Sequence, residues 1–275
     1  MSRIALLPSL VVSLVFLGFL AVPAHARPTV LFDQGHGQRF VIERNGDLDL
    51  SRFAALFKVS GYDIAAATDP LTTDRLTGIN ALVLSGAFRP YSPEEIEAIA
   101  AFVDRGGALC IMLHIGPPLS PLLRRFGVEH SNGVIREKEN IIDNNPVNFQ
   151  VTRLADHPLV RELHKFSLNG VWALNGALPG IQVVARTSPA AWIDLNGNGQ
   201  LDSSDAQQSF AVAVAGQSGN GRFVVFGDDA IFQNRYLVDD NLILSRNLAI
   251  WLAAGTSQPL RSQSPSGTGK TLQGT

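Results

Sequence analysis

Two patterns of apolar and polar positions alternate through the first half of this chain. Short, continuous apolar runs occur in PTVLFD, DIAAA, NALVLSG and GALCIMLH, which is typical of strands buried on both faces of a parallel sheet. Between them, DLSRFAALFKVSG and SPEEIEAIAAFVDRGG place apolar residues at helical spacing, and Ser92 with Glu95 predicts a capping box. This alternation predicts an α/β fold with a doubly wound, mainly parallel, flavodoxin-like sheet.

The C-terminal half follows a different pattern. SFAVAVAG and RFVVFGDD flank the turn GQSGNG, which predicts antiparallel strands added to the sheet, and DDNLILSRNLAIWLAAG predicts a final helix. In ADHPLV we expect Asp156 to cap a helix start, Pro158 to lie in its first turn and His157 to have a structural role. Because we find no repeat and no linker, we expect a single domain over residues 27–256.

The N-terminal 26 residues have the pattern of a secretory signal. A short positive start precedes the apolar stretch from Ile4 to Val22, and AHA before Arg27 fits a cleavage site. An uncleaved anchor is the alternative, since about 19 apolar residues can just span a bilayer. Signal cleavage favours an exported protein, periplasmic or extracellular, with no membrane span once residues 1–26 are removed.

Composition narrows the class of protein. The 275 residues are 45% hydrophobic and 17% charged with a formal net charge of −2, so a globular domain is expected. The sequence has no basic patch that would indicate binding to nucleic acid. Cys110 is the only cysteine, which excludes an internal disulfide. Residues 257–275 are rich in Ser, Gly, Pro and Thr and predict a disordered tail. GTGKT in that tail lacks the strand and helix of a phosphate-binding loop.

Parallel sheets bind ligands at the carboxyl ends of their strands, and three of the predicted strand ends are polar. The first ends in DQGHGQRF, the fourth at His114, and the penultimate element in GDDAIFQN. We predict that these ends line one crevice, with the following residues: Asp33, Gly35, His36, Gly37, Gln38, His114, Asp228 and Asn234.

Within this set the catalytic candidates are Asp33, His36 and His114. Asp33 could orient His36 as a general base, with His114 as its counterpart across the crevice. The alternative is structural: Asp33 caps the turn, Gly35 and Gly37 allow positive φ angles, and His36 bonds to backbone. A catalytic metal held by the two histidines would need a third ligand, and the sequence indicates none.

The order of elements resembles a known fold family. DQGHGQRF, SPEEIEAIAAFVDRGGALCIMLH, ADHPLVRELHKF, GNGRFVVFGDDAIFQN and NLILSRNLAIWL are similar to the class I glutamine amidotransferase-like fold. The resemblance covers Pro28 to Ala254 and is closer to branches without amidotransferase activity: the trehalose-utilisation (ThuA-like) type, the GldG and intraflagellar-transport type, and related bacterial domains of unknown function. It implies the fold, and it implies no reaction.

The amidotransferase reaction itself does not fit these residues. Such enzymes present a cysteine on a sharp G-x-C-x-G turn, with histidine and glutamate further on. Cys110 lies instead inside the apolar run GALCIMLH, which is the setting of an inert, buried thiol. Ser85 ends a strand but has no evident base near it in sequence, and no G-x-S-x-G occurs.

The stretch IDLNGNGQLDSSD has the spacing of a twelve-residue calcium loop. Gly199 falls at the tight turn, and oxygen ligands fall at Asp194, Asn196, Asn198, Gln200, Asp202 and Asp205. The flanks look like strands, so an EF-hand-type calcium loop would be inserted in a hairpin and bind a structural ion of weak, extracellular-class affinity. The alternative is a polar Asn-Gly hairpin without metal.

Taken together, these patterns favour an exported ligand-binding or interaction module with a structural calcium site and an unknown small-molecule or protein partner. One alternative is a hydrolase or isomerase that uses Asp33, His36 and His114; its carbohydrate-like substrate is implied only by the ThuA-like resemblance. Another, implied by the GldG-like resemblance, is a structural component of an envelope complex.

Overall fold

The structure is a computed structural model that describes residues 27–254. The predicted signal segment and tail lie outside these residues. The four α-helices within them are α1 (Ser51–Val59), α2 (Pro93–Asp104), α3 (Ser120–Arg125) and α4 (Asp239–Ala253). The fifteen strands of the same range are β1 (Thr29–Asp33), β2 (Asp63–Ala67), β3 (Ala81–Ser85), β4 (Ala108–Met112), β5 (Val128–Arg136), β6 (Ile141–Ile142), β7 (Asn145–Val151), β8 (Arg153–Leu154), β9 (Phe166–Asn169), β10 (Trp172–Gly176), β11 (Gln182–Arg186), β12 (Trp192–Ile193), β13 (Ala206–Gln207), β14 (Ala211–Ser218) and β15 (Gly221–Phe226).

The larger sheet has the order β13-β12-β5-β10-β14-β15-β4-β3-β1-β2, with β11 paired to β14 and β8 paired to β11. Strands β2, β1, β3, β4 and β15 are parallel, and the remaining pairs are antiparallel. This confirms the predicted fold class. It also shows that β15, predicted as half of an antiparallel hairpin, completes the parallel part through its pairing with β4.

Helices cover both faces of the parallel strands because successive strand residues point to opposite sides. In β3, Val83 packs into one apolar cluster with α1 and α4, whereas Leu82 and Leu84 pack into the other with α2. The predicted capping box starts α2: the Ser92 hydroxyl accepts from the Glu95 N–H at 3.2 Å, and the Glu95 carboxylate accepts from the Ser92 N–H at 2.9 Å.

A second sheet, β6-β7-β9, comes from the middle of the chain, where no strands were predicted. The free edge of β9 is covered by one side chain from α4. Asn241 accepts from the Ser167 N–H at 2.9 Å and donates to the Ser167 carbonyl at 3.1 Å, so its amide replaces a neighbouring strand.

The segment ADHPLV does not start as predicted. Pro158–Val160 is a 3-10 turn, and the residue that caps it is His157, whose Nδ1 accepts from the Leu159 N–H at 3.2 Å. The expectation that Asp156 caps this turn was wrong, because the extended backbone of His157 brings its imidazole over the exposed N–H. The structural role expected for His157 is consistent with this cap.

Among residues 27–254, no helix combines the length and the apolar character needed to cross a membrane.

Candidate functional site

Two histidine sites lie at the carboxyl edge of the parallel strands. Asp33 ends β1 and begins the first site, which we call the closed cluster and define as Asp33, His36, Gln38, Tyr91 and Glu95. The second site lies beyond the ends of β4 and β15. It is a cavity of about 370 Å³, which we call the crevice, and its lining includes Phe40, Leu48, His114, Val147, Asn148, Asn169, Asp228, Asp229, Gln233 and Tyr236.

In the closed cluster, both ring nitrogens of His36 are engaged by carboxylates. Nδ1 lies 2.8 Å from an Asp33 oxygen, and Nε2 lies 3.1 Å from a Glu95 oxygen. Since carboxylates are acceptors, both nitrogens donate and the ring is held as an imidazolium. Burial alone would lower the pKa of His36, but the hydrogen bond and charge of Asp33, with those of Glu95, raise it above its usual value.

Asp33 is the centre of this cluster and is 3% exposed. One carboxylate oxygen accepts from His36, from the Gln38 amide at 2.5 Å and from the Tyr91 hydroxyl at 2.6 Å, while the other accepts from the Gly35 N–H at 3.0 Å. The His36 ring also stacks on Tyr91 with centroids 3.8 Å apart. No ring nitrogen of His36 is left to take a proton from a substrate, so the geometry suits a fixed ion pair better than a general base.

Backbone geometry requires glycine at two positions of this turn. A Cβ at Gly35 would lie 2.8 Å from the Thr68 carbonyl oxygen, and Gly37 has φ of +76°. Asn234, also predicted in the crevice, lies outside its lining. Its side chain accepts from the Arg52 N–H at 2.9 Å and donates to the Gly46 carbonyl at 2.8 Å, which fastens the start of α1.

His114 has a different environment. Its Nδ1 lies 3.0 Å from Asp229, its side chain is 37% exposed, and its Nε2 makes no hydrogen bond within the described residues. The hydrogen bond to Asp229 raises the pKa of His114, against the opposing effect of burial. The rings of Phe40 and Phe88 flank the imidazole at 5.4 and 5.0 Å. His114 is therefore oriented by one carboxylate and keeps one nitrogen open.

Asp229 was missed by the sequence reasoning, which chose the preceding Asp228. Asp228 is buried, and its two oxygens accept from the Asn169 and Ala230 N–H groups at 2.7 Å each. Burial, together with the charge of Asp229, raises the pKa of Asp228 to about 8. The only sequence signal for Asp229 is that GDDAIFQN carries two adjacent aspartates at a strand end.

The crevice keeps unused hydrogen-bonding capacity. An Asp229 carboxylate oxygen and the Asn169 side-chain nitrogen are buried and have no partner in the part of the chain that the structure describes. The rim is apolar, since Leu48 is 43% exposed beside Phe40. A neighbouring hollow of about 430 Å³ shares Asn148, Asn169 and Tyr236 with the crevice and extends it towards Val238, which is 47% exposed.

The predicted calcium loop connects two short strands. β12 and β13 pair antiparallel on either side of it, which confirms that its flanks are strands. Both Asp194 oxygens accept backbone N–H groups, from Gly197 at 2.7 Å and Gly199 at 2.8 Å, and Gly199 has φ of +75°. Asp205 accepts from the Leu195 N–H at 2.9 Å. The loop is thus closed by its own side chains.

The donor chemistry of this loop suits calcium, since all its candidate ligands offer oxygen. Asp202 accepts from the amides of Asn196 and Asn198 at 2.9 and 2.7 Å, and hydrogen bonds, first that from the Ser204 hydroxyl, lower its pKa. Over residues 27–254, no three His, Cys, Asp or Glu side chains are grouped as a metal site. Calcium at the six predicted ligands, Gln200 included, stays a prediction.

The two candidate nucleophiles that the sequence raised are both enclosed. Cys110 lies in the middle of β4 at 0% exposure, and burial raises the pKa of its thiol. Ser85 ends β3 at 5% exposure, and its hydroxyl has no hydrogen-bond partner among the described side chains and backbone. Neither residue has the exposed position beside a base that nucleophilic catalysis needs.

Comparison with known proteins gives a family without an assigned function. The family described as "Domain of unknown function (DUF4350)" matches residues 50–253. The intraflagellar transport protein 52 homologue of Mus musculus is 22% identical over an alignment of 213 residues that covers 71% of this chain and 50% of that protein. The chain therefore spans about half the length of this curated relative.

Solved structures agree on the fold. The N-terminal domain of mmIFT52 superposes with a TM-score of 0.66 at 17% identity, covering 84% of this chain and 100% of that one. A ThuA-like protein from Bacteroides uniformis superposes with a TM-score of 0.51 at 12% identity, covering 86% of this chain and 95% of that one. These likenesses confirm the ThuA-like fold that the sequence resembles, and they concern the fold alone.

Proposed function

We propose that this chain, which belongs to the DUF4350 family of domains of unknown function, is an interaction module whose partner occupies the crevice beside His114. The observation that carries the proposal is the open bonding capacity of the crevice. Asp229 and Asn169 each keep a buried polar atom without a partner in the described residues, and the Nε2 of His114 makes no hydrogen bond within them. Such groups are costly in a folded protein unless a partner completes their hydrogen bonds.

The surroundings of these groups suit a protein partner. Leu48 in the crevice and Val238 in the neighbouring hollow expose apolar side chains next to these polar groups, so an inserted side chain of a protein partner could bury apolar surface and complete hydrogen bonds together. The mouse relative is named an intraflagellar transport protein, a name that states no reaction. This supports an interaction role over catalysis.

Site-specific crosslinking tests the proposal. Because Cys110 is buried, a Leu48→Cys variant carries one accessible thiol at the rim and can take a photoactivatable label. Irradiation in extract of the source cells is expected to give a discrete crosslinked species. Adding His114→Gln to the labelled variant is expected to remove it. Val59→Cys is the matched control, because Val59 is 81% exposed at the far end of α1.

The same species from the Val59→Cys protein would mean that capture is unspecific. A species that survives His114→Gln would place the partner elsewhere. Either result contradicts the proposal that the crevice is the binding site.

A second candidate function rests on the His114 and Asp229 pair. A carboxylate that orients a half-exposed imidazole with a free Nε2 is the arrangement of a general base. The proposed enzyme would be a hydrolase or isomerase on a carbohydrate-like substrate, with His114 as base and with Asp33 and His36 as supporting residues. Its test is a panel of chromogenic glycosides. Turnover by the wild type that His114→Gln abolishes would support this candidate, and no turnover would count against it.

We also propose that calcium stabilises the 194–205 loop, on the basis of its twelve-residue spacing and its oxygen ligands. An affinity near 10⁻³ M and a tenfold excess of calcium predict a rise in melting temperature of about 4 °C relative to chelator. Asp194→Ala should abolish the rise, and Asp74→Ala, which removes an exposed carboxylate elsewhere, should keep it. An unchanged melting temperature in calcium would leave the loop a metal-free hairpin.

Export is proposed from the sequence of residues 1–26. N-terminal sequencing of the protein recovered outside the cytoplasm is expected to begin at Arg27, and recovery of the whole chain from the cytoplasm would contradict it. If the crosslinked partner proves to be an envelope protein, the module is a structural component of an envelope complex.

A further inference from the structure

Another cavity lies at the opposite edge of the sheet, away from both histidine sites. It has a volume of about 580 Å³ and lies between the β14–β15 hairpin, the start of β11 and the C-terminal half of α4. We call it the basal pocket and define it by His157, Gln182, Gln217, Arg222 and Trp251. No carboxylate is among the described residues that line it.

Arg222 has an unusual position in this pocket. Its guanidinium carbon lies 5.0 Å from the centre of the Trp251 ring, and the side chain is half-buried at the start of β15. Burial lowers the pKa of Arg222, although an arginine stays charged at any physiological pH. Its five N–H donors have no hydrogen-bonded or carboxylate partner within residues 27–254.

Three arginines elsewhere in the protein are satisfied by backbone acceptors. Arg52, Arg75 and Arg89 donate to carbonyl oxygens at 2.6 to 3.1 Å. A half-buried guanidinium without an acceptor is costly, because part of its hydration is lost and nothing replaces it. The Trp251 ring compensates in part through a cation–π contact and also keeps the guanidinium plane fixed.

His157 adds a second donor to the pocket. Its Nδ1 accepts from the Leu159 N–H, so the proton of the neutral ring is on Nε2. Burial lowers the pKa of His157 despite the opposing charge of Asp156, so the ring is neutral at physiological pH. Its centroid lies 5.9 Å from that of Trp251. The Trp251 indole is therefore flanked by a guanidinium and an imidazole N–H donor.

We infer that the basal pocket binds the oxyanion group of a small ligand, a carboxylate or a phosphate, with Arg222 as the charged fork and His157 as a second donor. Arginine matches both groups because two parallel N–H donors meet two oxygens. The titratable group whose charge acts on Arg222 is the phenol of Tyr62, and burial raises the pKa of that phenol, so it stays neutral. A positive, carboxylate-free pocket with fixed donors thus has the chemistry of an anion site.

Tryptophan fluorescence tests the inference, because Trp251 is itself part of the pocket. The full chain is titrated with sodium phosphate in one arm and sodium succinate in the other, with chloride keeping the ionic strength constant. A bare anion of few atoms is expected to bind with Kd on the order of 1 mM. The arm that saturates at lower concentration identifies phosphate or carboxylate as the preferred group.

Variants locate the signal. Arg222→Gln should remove the saturable change, and Arg222→Lys should weaken binding at least about tenfold, because an ammonium lacks the planar fork. Trp251→Phe should remove the fluorescence signal. Arg246→Gln is the matched control and should bind as the wild type does, since it removes an exposed arginine from α4, the helix that carries Trp251. Circular dichroism checks that each variant is folded.

Three results would overturn the inference. The first is no saturable change in either arm of the wild-type titration. The second is unchanged binding by folded Arg222→Gln and Arg222→Lys. The third is a signal that persists in Trp251→Phe but disappears in Trp172→Phe, because Trp172 donates to the His114 carbonyl and reports on the crevice instead.

Discussion

His36 and His114 are each paired with an aspartate at the same edge of the same sheet, yet their surroundings are opposite. His36 is 7% exposed and bonded at both ring nitrogens, in a cluster where Asp33 accepts from four donors. The side chain of His114 is 37% exposed and bonded at one nitrogen, and its partner Asp229 keeps a buried oxygen unpaired. The difference lies in how many bonds remain to be made, and only the second site has any to offer a partner.

This comparison separates a structural ion pair from a site suited to binding. A satisfied buried network contributes stability and fixes one conformation, whereas an incomplete one lowers stability until a ligand completes it. The same residue types therefore have opposite energetic roles in the two sites.

Removal of the central carboxylate of the closed cluster is expected to have the largest effect. Asp33→Ala leaves His36, Gln38 and Tyr91 without their acceptor and should lower the free energy of unfolding by about 3 kcal/mol. Asp229→Ala is the matched change in the crevice and should alter the same quantity by less than about 1 kcal/mol, since only a half-exposed histidine loses a bond. Urea unfolding of both variants measures the difference, and equal losses would contradict the contrast.

Replacement of His36 should change the stability by an amount between those expected for Asp33→Ala and His114→Gln, and the change should depend on pH. Its pKa is raised in the folded protein, so its contribution is complete below the unfolded pKa and is lost as pH rises through the folded pKa. The wild type should lose more stability over that window than His36→Gln does.

Other groups titrate in the same direction, because the folded pKa values of His114 and Asp228 are also raised. The difference between wild type and His36→Gln removes their contribution. Parallel stability curves for the two proteins over this pH window would mean that His36 carries no linked proton.

The smallest effect on stability is expected from His114→Gln. The side chain is partly exposed and makes one side-chain hydrogen bond, so the free energy of unfolding should change by less than about 0.5 kcal/mol. The same variant should lose the crosslink at position 48. A loss of several kcal/mol would show instead that His114 is a structural residue like His36.

The fold was largely predictable because its signals are local. Apolar runs marked β1, β2, β3 and β4, and the capping box of Ser92 and Glu95 marked the start of α2. The strands in the middle of the chain could not be predicted in this way. One of them, β5, is mostly polar and owes its conformation to pairing with β10 and β12.

The candidate site was predictable in its location but not in its partners. The ends of the predicted strands indicated Asp33 and His114. The second partner of His36 is Glu95, which lies 59 residues further along the chain and was predicted only as part of a helix cap. Asp229 lies 115 residues from His114. Such long-range pairs leave no periodic signal in one sequence, and the number of bonds at each nitrogen depends on them.

Histidine acylation by diethyl pyrocarbonate, followed by peptide mass spectrometry, tests the central contrast most directly. The reagent attacks a free, unprotonated ring nitrogen, so the reaction is run above the pKa of His114. We expect the native protein to be modified at His114, and His36 to react only as fast as the protein unfolds. Modification of native His36 at a rate comparable to that of His114 would contradict the account.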